Sequence, residues 1–588
     1  MKRKLLTFLL LFSLVIASVA PSTAQAATKK EKKTNETVQK KEHGTTPFSK
    51  ITYKRPDINA IEKKLDKIAA LSKKDNQYKK INSLMDEVDD DLTDVITMIR
   101  YLNIKLSKDV TDTQTANEFN DLNTQYMNLI KKCTEVYVEL LESQYGDELK
   151  KDLTEKEIEN IYKNKETLSE DYIKLQSEAL SLSSEYQLVF STTTIDVKGN
   201  PMSISEVVSD PSLSQQEILY YYSQLMNLLN EKEGEIYLKL VKNYKAQAKL
   251  AGFDNVAAYM YEQLGRDFTK EQSRLFGQYV KEEVIPLYQT IAASLTPEDL
   301  IKVQSAPGSL EQFEPTFRKY FSSINDEMLK CYDYMKKYEL CDNQVTPVKM
   351  NQNYTTLLNS YNEPYMSLYP MGTYNDISTF IHEFGHFYAF YTHGDDLELN
   401  LDIMEIHSQA DELLFMPNFE VYGDAYEPIV KYQLITMLYS AVINGSLYDE
   451  FQQRVFEKDI TSVKELNELF FKLECEYGLA DPASDVTEDG SWVLVPHTFT
   501  QPFYYISYAI AAVPALEVYA KSLTDRDAAI ASYNKLIKYG TDYDYTSLLM
   551  RSRIASPFSE YTLDTIADSI YEYLGLPNPD NAAEAPAA

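Results

Sequence analysis

Apolar residues recur at helical spacing along most of this chain. From Phe119 onward they follow one another at steps of three and four, at Leu122, Tyr126, Leu129, Cys133, Val136 and Leu140. This spacing predicts one long helix with a continuous apolar seam for a neighbouring helix. A similar run begins after Asp57, at Ile58, Ile61, Leu65 and Ile68. The pattern predicts a mainly α fold.

Short segments with the composition of strands interrupt this pattern. The segment Tyr186–Val197, followed by Gly199-Asn200 and then Met202–Ile204, predicts a hairpin with a glycine turn. We place this hairpin at the end of an N-terminal helical subdomain, residues 51–205. Another short strand is predicted near residues 365–368. The fold class is therefore mainly α with a few short strands.

The chain begins with the three regions of a secretory signal peptide, residues 1–26. Lys2-Arg3-Lys4 is basic, residues 5–20 are apolar, and Ala24-Gln25-Ala26 is a cleavage triplet of small residues. We predict cleavage after Ala26 and an exported protein, secreted or associated with the cell surface. An uncleaved anchor is the alternative, because the apolar run has a borderline length for a membrane span. After cleavage, no stable membrane insertion is expected.

Two segments outside the helical pattern have compositions typical of disorder. Residues 27–50 are rich in Lys, Thr and Glu and have almost no bulky apolar side chains. Residues 577–588 end in Ala-Glu-Ala-Pro-Ala-Ala. We predict a disordered spacer and a disordered tail.

Charge and cysteine content narrow the possible partners. The formal net charge is −31, although residues 1–50 contribute +7 through ten Lys or Arg against three Glu. So acidic a chain is a poor ligand for nucleic acid, whose phosphates would repel it. Of the four cysteines, Cys133 and Cys475 lie on helical patterns and are expected at small apolar core positions, whereas Cys331 and Cys341 are a possible disulfide pair. None of these features determines the oligomeric state.

The richest candidate chemistry lies in the predicted catalytic domain, residues 206–576. Four of the six histidines fall between residues 382 and 407. Two of them frame His382-Glu383-Phe384-Gly385-His386, the HExxH signature of zinc peptidases. Imidazoles four residues apart project from one face of a helix and can bind one metal ion. The motif therefore predicts His382 and His386 as metal ligands.

The residues around this motif favour a helix. Apolar side chains recur at steps of three and four, at Ile377, Phe380, Ile381, Phe384 and Tyr388. Asn375 and Asp376 offer cap and first-turn chemistry, and Gly394 predicts the C-terminal end. Gly385 costs about 1 kcal/mol relative to alanine inside a helix, which predicts a close contact that needs its missing side chain.

A catalytic zinc site usually has three protein ligands and an open position for water. The segment Asp402–Phe415 predicts a second helix, capped near Asp402 and antiparallel to the first, with Glu405 as the third ligand. A solvated surface carboxylate is the alternative reading of Glu405. His407 cannot share the face of Glu405, so we interpret it as supporting the ligands or facing substrate. Ser408 and Glu412 lie nearer that face and are expected to orient the ligands.

Three blocks of sequence, in order, carry a resemblance to a known family. The first is Met371-Gly372-Thr373 with Asp376-Ile377 leading into His-Glu-Phe-Gly-His, and the second is Glu405-Ile406-His407-Ser408. The third joins Pro496–Phe499 to Pro502–Ala509, and residues 245–261 extend the likeness upstream. Together the blocks resemble the oligoendopeptidase F and thimet oligopeptidase group of zinc metallopeptidases, in its bacterial oligoendopeptidase form.

The resemblance implies both an architecture and an activity. A two-lobed helical molecule with a deep central channel would admit short unstructured peptides and exclude folded proteins. It would hold one zinc ion per chain and cleave internal peptide bonds. The strand near residues 365–368 would border the cleft and pair with the substrate backbone.

The resemblance also assigns roles to the third block. Amide hydrolysis builds negative charge on the carbonyl oxygen, so neutral donors such as a phenol or an imidazole suit that position. By resemblance, Tyr508 is the oxyanion donor, while His497 and Tyr505 hold the substrate. Tyr504 remains the alternative donor, because the blocks align with a slip of one residue.

These residues together predict metal-assisted hydrolysis. Zinc would lower the pKa of a bound water toward about 7 and polarise the scissile carbonyl. Glu383 would take the water proton and later deliver it to the leaving amine. One alternative is a zinc carboxypeptidase built on HEFGH, which needs a positive group to hold the substrate's terminal carboxylate. Another is an exported, non-catalytic peptide-binding protein with a vestigial site.

Overall fold

The computed structural model describes residues 42–153, 158, 161–162, 165, 169–210, 212–394, 401–540 and 543–579. The predicted signal peptide, spacer residues 27–41, the loop after Gly394 and tail residues 580–588 lie outside the described residues. The export, spacer and tail predictions for those segments stay predictions.

The mainly α prediction is confirmed. In the first part of the chain the α-helices are Ile58–Ser72, Tyr78–Lys108, Thr113–Glu142, Gly146–Leu149, Glu170–Thr192, Ile204–Ser209 and Gln215–Leu250. In the rest they are Val256–Gln263, Lys270–Tyr279, Ile285–Ala293, Pro297–Ser305, Leu310–Ile324, Asp326–Lys337, Tyr374–His393, Leu401–Phe415, Tyr426–Thr436, Asn444–Glu457, Val463–Glu476, His497–Thr500, Ile506–Thr524, Arg526–Tyr539, Tyr545–Ser552 and Glu560–Leu574. Short 3₁₀ helices lie at Phe48–Lys50, Lys150–Asp152, Met416–Ala425 and Ser491–Leu494, and π-helical turns lie at Val280–Val284 and Met437–Ile443.

The two helices predicted from apolar spacing are present. The carboxylate of Asp57 accepts a hydrogen bond from the Ala60 amide, which caps the first helix. The seam predicted from Phe119 onward lies in the helix Thr113–Glu142, and its members from Leu122 to Leu140 are buried. One hydrophobic core runs from these helices through the remainder of the described chain. The boundary predicted at residue 205 stays a prediction.

The predicted hairpin exists but is much shorter than expected. Strand β1 (Ile195–Val197) pairs antiparallel with β2 (Asn200–Met202) around Lys198 and Gly199, which both have positive φ. Residues 186–192, predicted as strand, belong instead to the helix Glu170–Thr192. That helix packs against Gln215–Leu250 and buries Tyr186, so tertiary packing overrides the local preference for a strand.

A three-stranded sheet supports the region of the HExxH motif. Its order is β3 (Cys341–Asp342), β5 (Glu363–Ser367) and β4 (Tyr354–Leu358), and both β4 and β5 pack against the helix Tyr374–His393. The strand expected near residues 365–368 is therefore β5. Because β5 is the middle strand, its position disagrees with the expectation that it pairs with substrate backbone.

The end of the predicted spacer is ordered, which corrects the prediction of disorder up to residue 50. The amide of Gly44 donates to the Tyr361 carbonyl at 2.7 Å. The ring of His43 stacks on Tyr391 with 4.0 Å between centroids. Phe48 contacts Tyr365 of β5. These few aromatic contacts fix a segment whose overall composition is polar.

The cysteines decide one of the alternatives left open by the sequence. All four cysteines are free, so Cys331 and Cys341 form no disulfide. Among the described residues, no helix combines the length and the apolar character needed to cross a membrane.

Candidate active site

The HExxH motif lies on the helix Tyr374–His393, called here the HEFGH helix. Thr373 and Asp376 form a capping box at its start, and Gly394, with φ of 63°, ends it. Asn375 and Asp376 were predicted to mark the start of this helix. Asp376 does so as part of the capping box, but the N-cap residue is Thr373. The imidazoles of His382 and His386 lie on one face, with 4.9 Å between their ring centroids.

Glu405 lies on the helix Leu401–Phe415, called here the Glu405 helix, and meets both imidazoles. Its Oε2 is 3.7 Å from Nε2 of His382 and 3.6 Å from Nε2 of His386. The candidate ligand atoms of the three residues all lie within 4.8 Å of one another. Glu405 is only 1% exposed, which excludes the alternative of a solvated surface acid.

Gly385 allows the two helices to approach this closely. A Cβ built at Gly385 would lie 2.7 Å from the Cα of Ser408, closer than real side chains come. Position 382 of the HEFGH helix contacts position 412 of the Glu405 helix, position 385 contacts 408, and position 386 contacts 405. The pairs run in opposite directions, so the antiparallel arrangement predicted from the sequence is confirmed.

A second layer of polar groups holds the ligands, as expected for Ser408 and Glu412. Oε1 of Glu412 lies 2.5 Å from Nδ1 of His382, which directs Nε2 toward Glu405. Ser378 and Gln433 both donate to Oε2 of Glu412, at 3.2 and 2.9 Å. The hydroxyl of Ser408 donates to Oε2 of Glu405 at 3.3 Å.

The electrostatics of the cluster favour a cation. Burial alone would lower the pKa of His382, but the carboxylates of Glu412, Glu405 and Glu383 outweigh it and raise that pKa to about 10. Burial would raise the pKa of Glu405, yet His386, His382 and a hydrogen bond from Tyr504 lower it to about 2. The site therefore stabilises positive charge at the point where the imidazoles and Glu405 meet.

The geometry and charge fit a zinc ion. Two imidazoles and one carboxylate are a ligand set of catalytic zinc sites, which keep one position open for water. The Nε2 atoms of His382 and His386 and the carboxylate of Glu405 would hold the ion. About a quarter of the His382 side chain is exposed (24%), so the ligand cluster is reachable from solvent.

Glu383, the predicted general base, is held by a strand that sequence reasoning missed. Thr355 on β4 places its Oγ1 2.7 Å from Oε2 of Glu383 and 3.0 Å from the Glu383 carbonyl oxygen. Thr355 and Glu383 are both buried. A lone threonine in a short strand has no sequence signal that connects it to a helix 28 residues further along the chain.

The third block, residues 496–509, brings His497 beside a group of tyrosines. The imidazole stacks on Tyr504 and Tyr505, with centroid distances of 5.1 and 5.5 Å, and meets Tyr508 edge-on at 5.7 Å. Burial lowers the pKa of His497 to about 4, with a small opposing effect from Glu405. The ring is therefore neutral at pH 7, as a neutral hydrogen-bond donor requires.

The tyrosines of this block have different hydrogen-bond partners. The hydroxyl of Tyr504 donates to Oε1 of Glu405 at 3.1 Å, so this residue supports a predicted ligand. The hydroxyl of Tyr505 donates to the Ser440 carbonyl at 3.0 Å. Burial raises the pKa of Tyr508 well above its usual value, and the nearby Glu405 raises it further. Tyr508 is therefore a protonated phenol close to Glu405, and its assignment as the oxyanion donor stays a prediction.

The surroundings of His407 bear on its two predicted roles. Its side chain is fully buried, which favours the interpretation that it supports the ligands over the one that it faces substrate. Burial is also the main cause that lowers its pKa, to about 3. Its position next to the ligand-bearing face remains compatible with a supporting role.

Comparisons with known proteins find the same fold elsewhere. Residues 48–168 match the Peptidase M3 N-terminal domain. A solved structure assigned as oligoendopeptidase F is similar over 92% of this chain and 100% of its own, with a TM-score of 0.75 and 22% identity. PZ peptidase A with an inhibitor is similar over 90% and 99%, with a TM-score of 0.75 and 22% identity. A structure from Bacillus anthracis, assigned as oligoendopeptidase F, is similar over 90% of this chain and 98% of its own, with a TM-score of 0.73 and 21% identity.

No curated protein sequence matches this one significantly. The structural matches nevertheless confirm the predicted resemblance and the predicted fold class, a mainly α, two-lobed peptidase fold with a few short strands. The chain therefore has the fold of M3-type peptidases.

Proposed function

We propose that the protein is an exported, zinc-dependent oligoendopeptidase that cleaves internal bonds of short unstructured peptides. The observation that carries the proposal is the convergence of His382, His386 and Glu405 within 4.8 Å, with Glu383 on the same helix. The peptidase fold of the similar structures supports it. Export rests on the signal sequence of residues 1–26.

The chain's own residues account for the steps of hydrolysis. A bound zinc ion would supply a Lewis acid that activates water and polarises the scissile carbonyl. Thr355 holds one carboxylate oxygen of Glu383, and the other oxygen takes the water proton and delivers it to the leaving amine. The neutral Tyr508 hydroxyl, with His497 beside it, donates to the oxygen that gains negative charge.

The division between ligand and base has a direct test. Glu405→Ala should lose zinc, because it removes one of three ligands, whereas Glu383→Gln should keep zinc while kcat falls by about 10²–10⁴. Metal content by atomic spectroscopy and turnover of an internally quenched peptide check both variants. Equal loss of zinc in the two variants would contradict the assigned roles.

The class of activity needs a separate experiment. The purified mature protein is incubated with a mixture of short peptides, with and without chelator, and mass spectrometry identifies the products. Internal cleavage that stops in chelator and returns with added zinc supports the proposal. Stepwise release of C-terminal residues would favour a carboxypeptidase, and binding of peptides without cleavage would favour the non-catalytic alternative.

A further inference from the structure

A buried arginine lies behind the third block. The Arg266 side chain is fully buried, and Nη2 donates to the Phe503 carbonyl at 2.7 Å and to Oγ of Ser507 at 2.9 Å. Its guanidinium stacks over Tyr261, 4.6 Å from the ring centroid. Burying an arginine charge is costly unless the guanidinium is hydrogen-bonded. Arg266 is therefore restricted to the position in which it reaches these partners.

Phe503, which receives that bond, has an unusual backbone. Its φ is +65°, in the left-handed region that costs a residue with a side chain about 1–2 kcal/mol. Phe503 is the only apolar residue among the six described non-glycine residues with positive φ. Its amide donates to Oε1 of Gln452 at 2.5 Å, and its ring is buried. Arg266 and Gln452 thus hold both backbone polar groups of one strained residue, Phe503.

The strained turn sets the direction of the next residues. Tyr504 follows directly and reaches Glu405 with its hydroxyl. Ser507, the second partner of Arg266, lies in the first turn of the helix Ile506–Thr524, which carries Tyr508. A shift at Phe503 would therefore move both tyrosine hydroxyls relative to Glu405.

Arg266 also contacts the Glu405 helix. Its Nε lies 3.6 Å from Oδ2 of Asp402, which is 2% exposed and lies three residues before Glu405 on the Glu405 helix. Asp402 was predicted to cap this helix, and the structure shows instead that it faces Arg266. The Arg266 guanidinium therefore bridges the third block and the Glu405 helix. The distance between these two segments determines whether the Tyr504 hydroxyl reaches Glu405.

We infer that Arg266 is a positioning residue that fixes the third block against the Glu405 helix, so that Tyr504 holds Glu405 and Tyr508 faces the reacting carbonyl. The inference deepens the proposed function and rests on it. Lysine cannot replace the arginine fully, because a single ammonium lacks the planar fork that serves a carbonyl, a hydroxyl and a carboxylate together.

The test compares Arg266→Met, Arg266→Lys and a control, Arg454→Met. Arg454 pairs only with carboxylates, Glu450 and Glu476, in its described contacts. We expect Arg266→Met to lower kcat by about 10–100-fold with KM changed less than about threefold, and to weaken zinc in competition with a chelator by about tenfold. Arg266→Lys should recover part of both losses. Arg454→Met should lower the melting temperature without either loss.

A double variant identifies the route of the effect. Gln452→Leu removes the acceptor of the Phe503 amide. If both residues act through this turn, the fold-loss in kcat of the double variant should be smaller than the product of the two single fold-losses. Full multiplicativity would show that the two residues do not act through the same turn. If Arg266→Met fails to fold, the same readouts on Arg266→Lys decide.

Two outcomes are kept distinct. A wild-type protein that binds zinc but cleaves no peptide, or that binds no zinc, refutes the proposed function. An active wild type in which Arg266→Met and Arg266→Lys lose only melting temperature, with kcat and zinc affinity unchanged, overturns the positioning role alone.

Discussion

Two regions meet at the candidate active site, and they are held in place differently. The HEFGH helix and the Glu405 helix are near neighbours in sequence, and their contacts span 34 residues or fewer. The third block is held by partners far away: Arg266 reaches Phe503 across 237 residues, and Ser183 reaches the Phe499 carbonyl across 316. The HEFGH helix and the Glu405 helix, together the ligand pair, thus form a local structure. The third block, or donor block, depends on the whole fold.

The difference has a physical cause. Two helices that lie close together in sequence need only complementary faces to pack, and Gly385 lets them approach without a side chain between them. The third block has only a four-residue helix, His497–Thr500, before the turn at Phe503, so little regular secondary structure fixes its position. Side chains of the helices Glu170–Thr192 and Gln215–Leu250 hold the segment that leads into it, because Tyr186 donates to the Val493 carbonyl and Asn230 donates to the Gly490 carbonyl.

Apart from loss of the general base, the largest effect that we expect comes from the donor block. Tyr508→Phe keeps the ring and removes only the hydroxyl, so kcat should fall by about 10²–10³ while zinc content and KM stay near wild type. Tyr505→Phe is the matched control, because its hydroxyl is already bound to the Ser440 carbonyl. A near-normal kcat for Tyr508→Phe, with a collapse for Tyr505→Phe, would reverse the assignment.

A smaller effect should come from the ligand pair. Glu412→Gln removes the carboxylate that orients His382, and we expect zinc affinity to fall by about 10–100-fold. Competition with a metallochromic chelator measures this change. Exposed Glu427 offers a control as Glu427→Gln, which should leave zinc affinity unchanged. Unchanged affinity in Glu412→Gln would mean that helix packing alone orients the ligand.

The smallest effect concerns the remote support of the donor block and appears as a pH dependence. Glu233, on the helix Gln215–Leu250, is fully buried, and burial raises its pKa to about 8. The folded protein therefore keeps a proton that the unfolded chain releases near pH 4.5, so stability falls as pH rises from about 4.5 to about 8.

We expect the free energy of unfolding to drop between pH 5.5 and pH 8 in the wild type, where burial also raises the pKa of Glu474 to about 8 and that of Glu363 to about 7. In Glu233→Gln the drop should be smaller by at least about 1 kcal/mol. Urea unfolding at the two pH values measures it. Glu235→Gln changes an exposed acid of the same helix and should behave as the wild type does. An identical pH dependence in Glu233→Gln would mean that Glu233 is ionised in the folded protein.

Tertiary packing decided the points at which sequence reasoning was wrong. Residues 186–192 have strand-like composition but form a helix, because Tyr186 is buried against distant partners. The segment 42–50 is polar overall, yet His43 and Phe48 find aromatic partners brought close only by folding. β5 becomes a middle strand because β3 pairs with it from an earlier segment of the chain.

The sequence by itself determined the HEFGH helix, the Glu405 helix and their antiparallel meeting, because helical periodicity, caps and the contact at Gly385 are all properties of nearby residues. Only the tertiary structure decided that Thr355 holds Glu383, that Tyr504 binds Glu405 and that Arg266 fixes the turn at Phe503. These contacts join segments up to 237 residues apart, and a single side chain carries no local pattern that names its partner at such a distance.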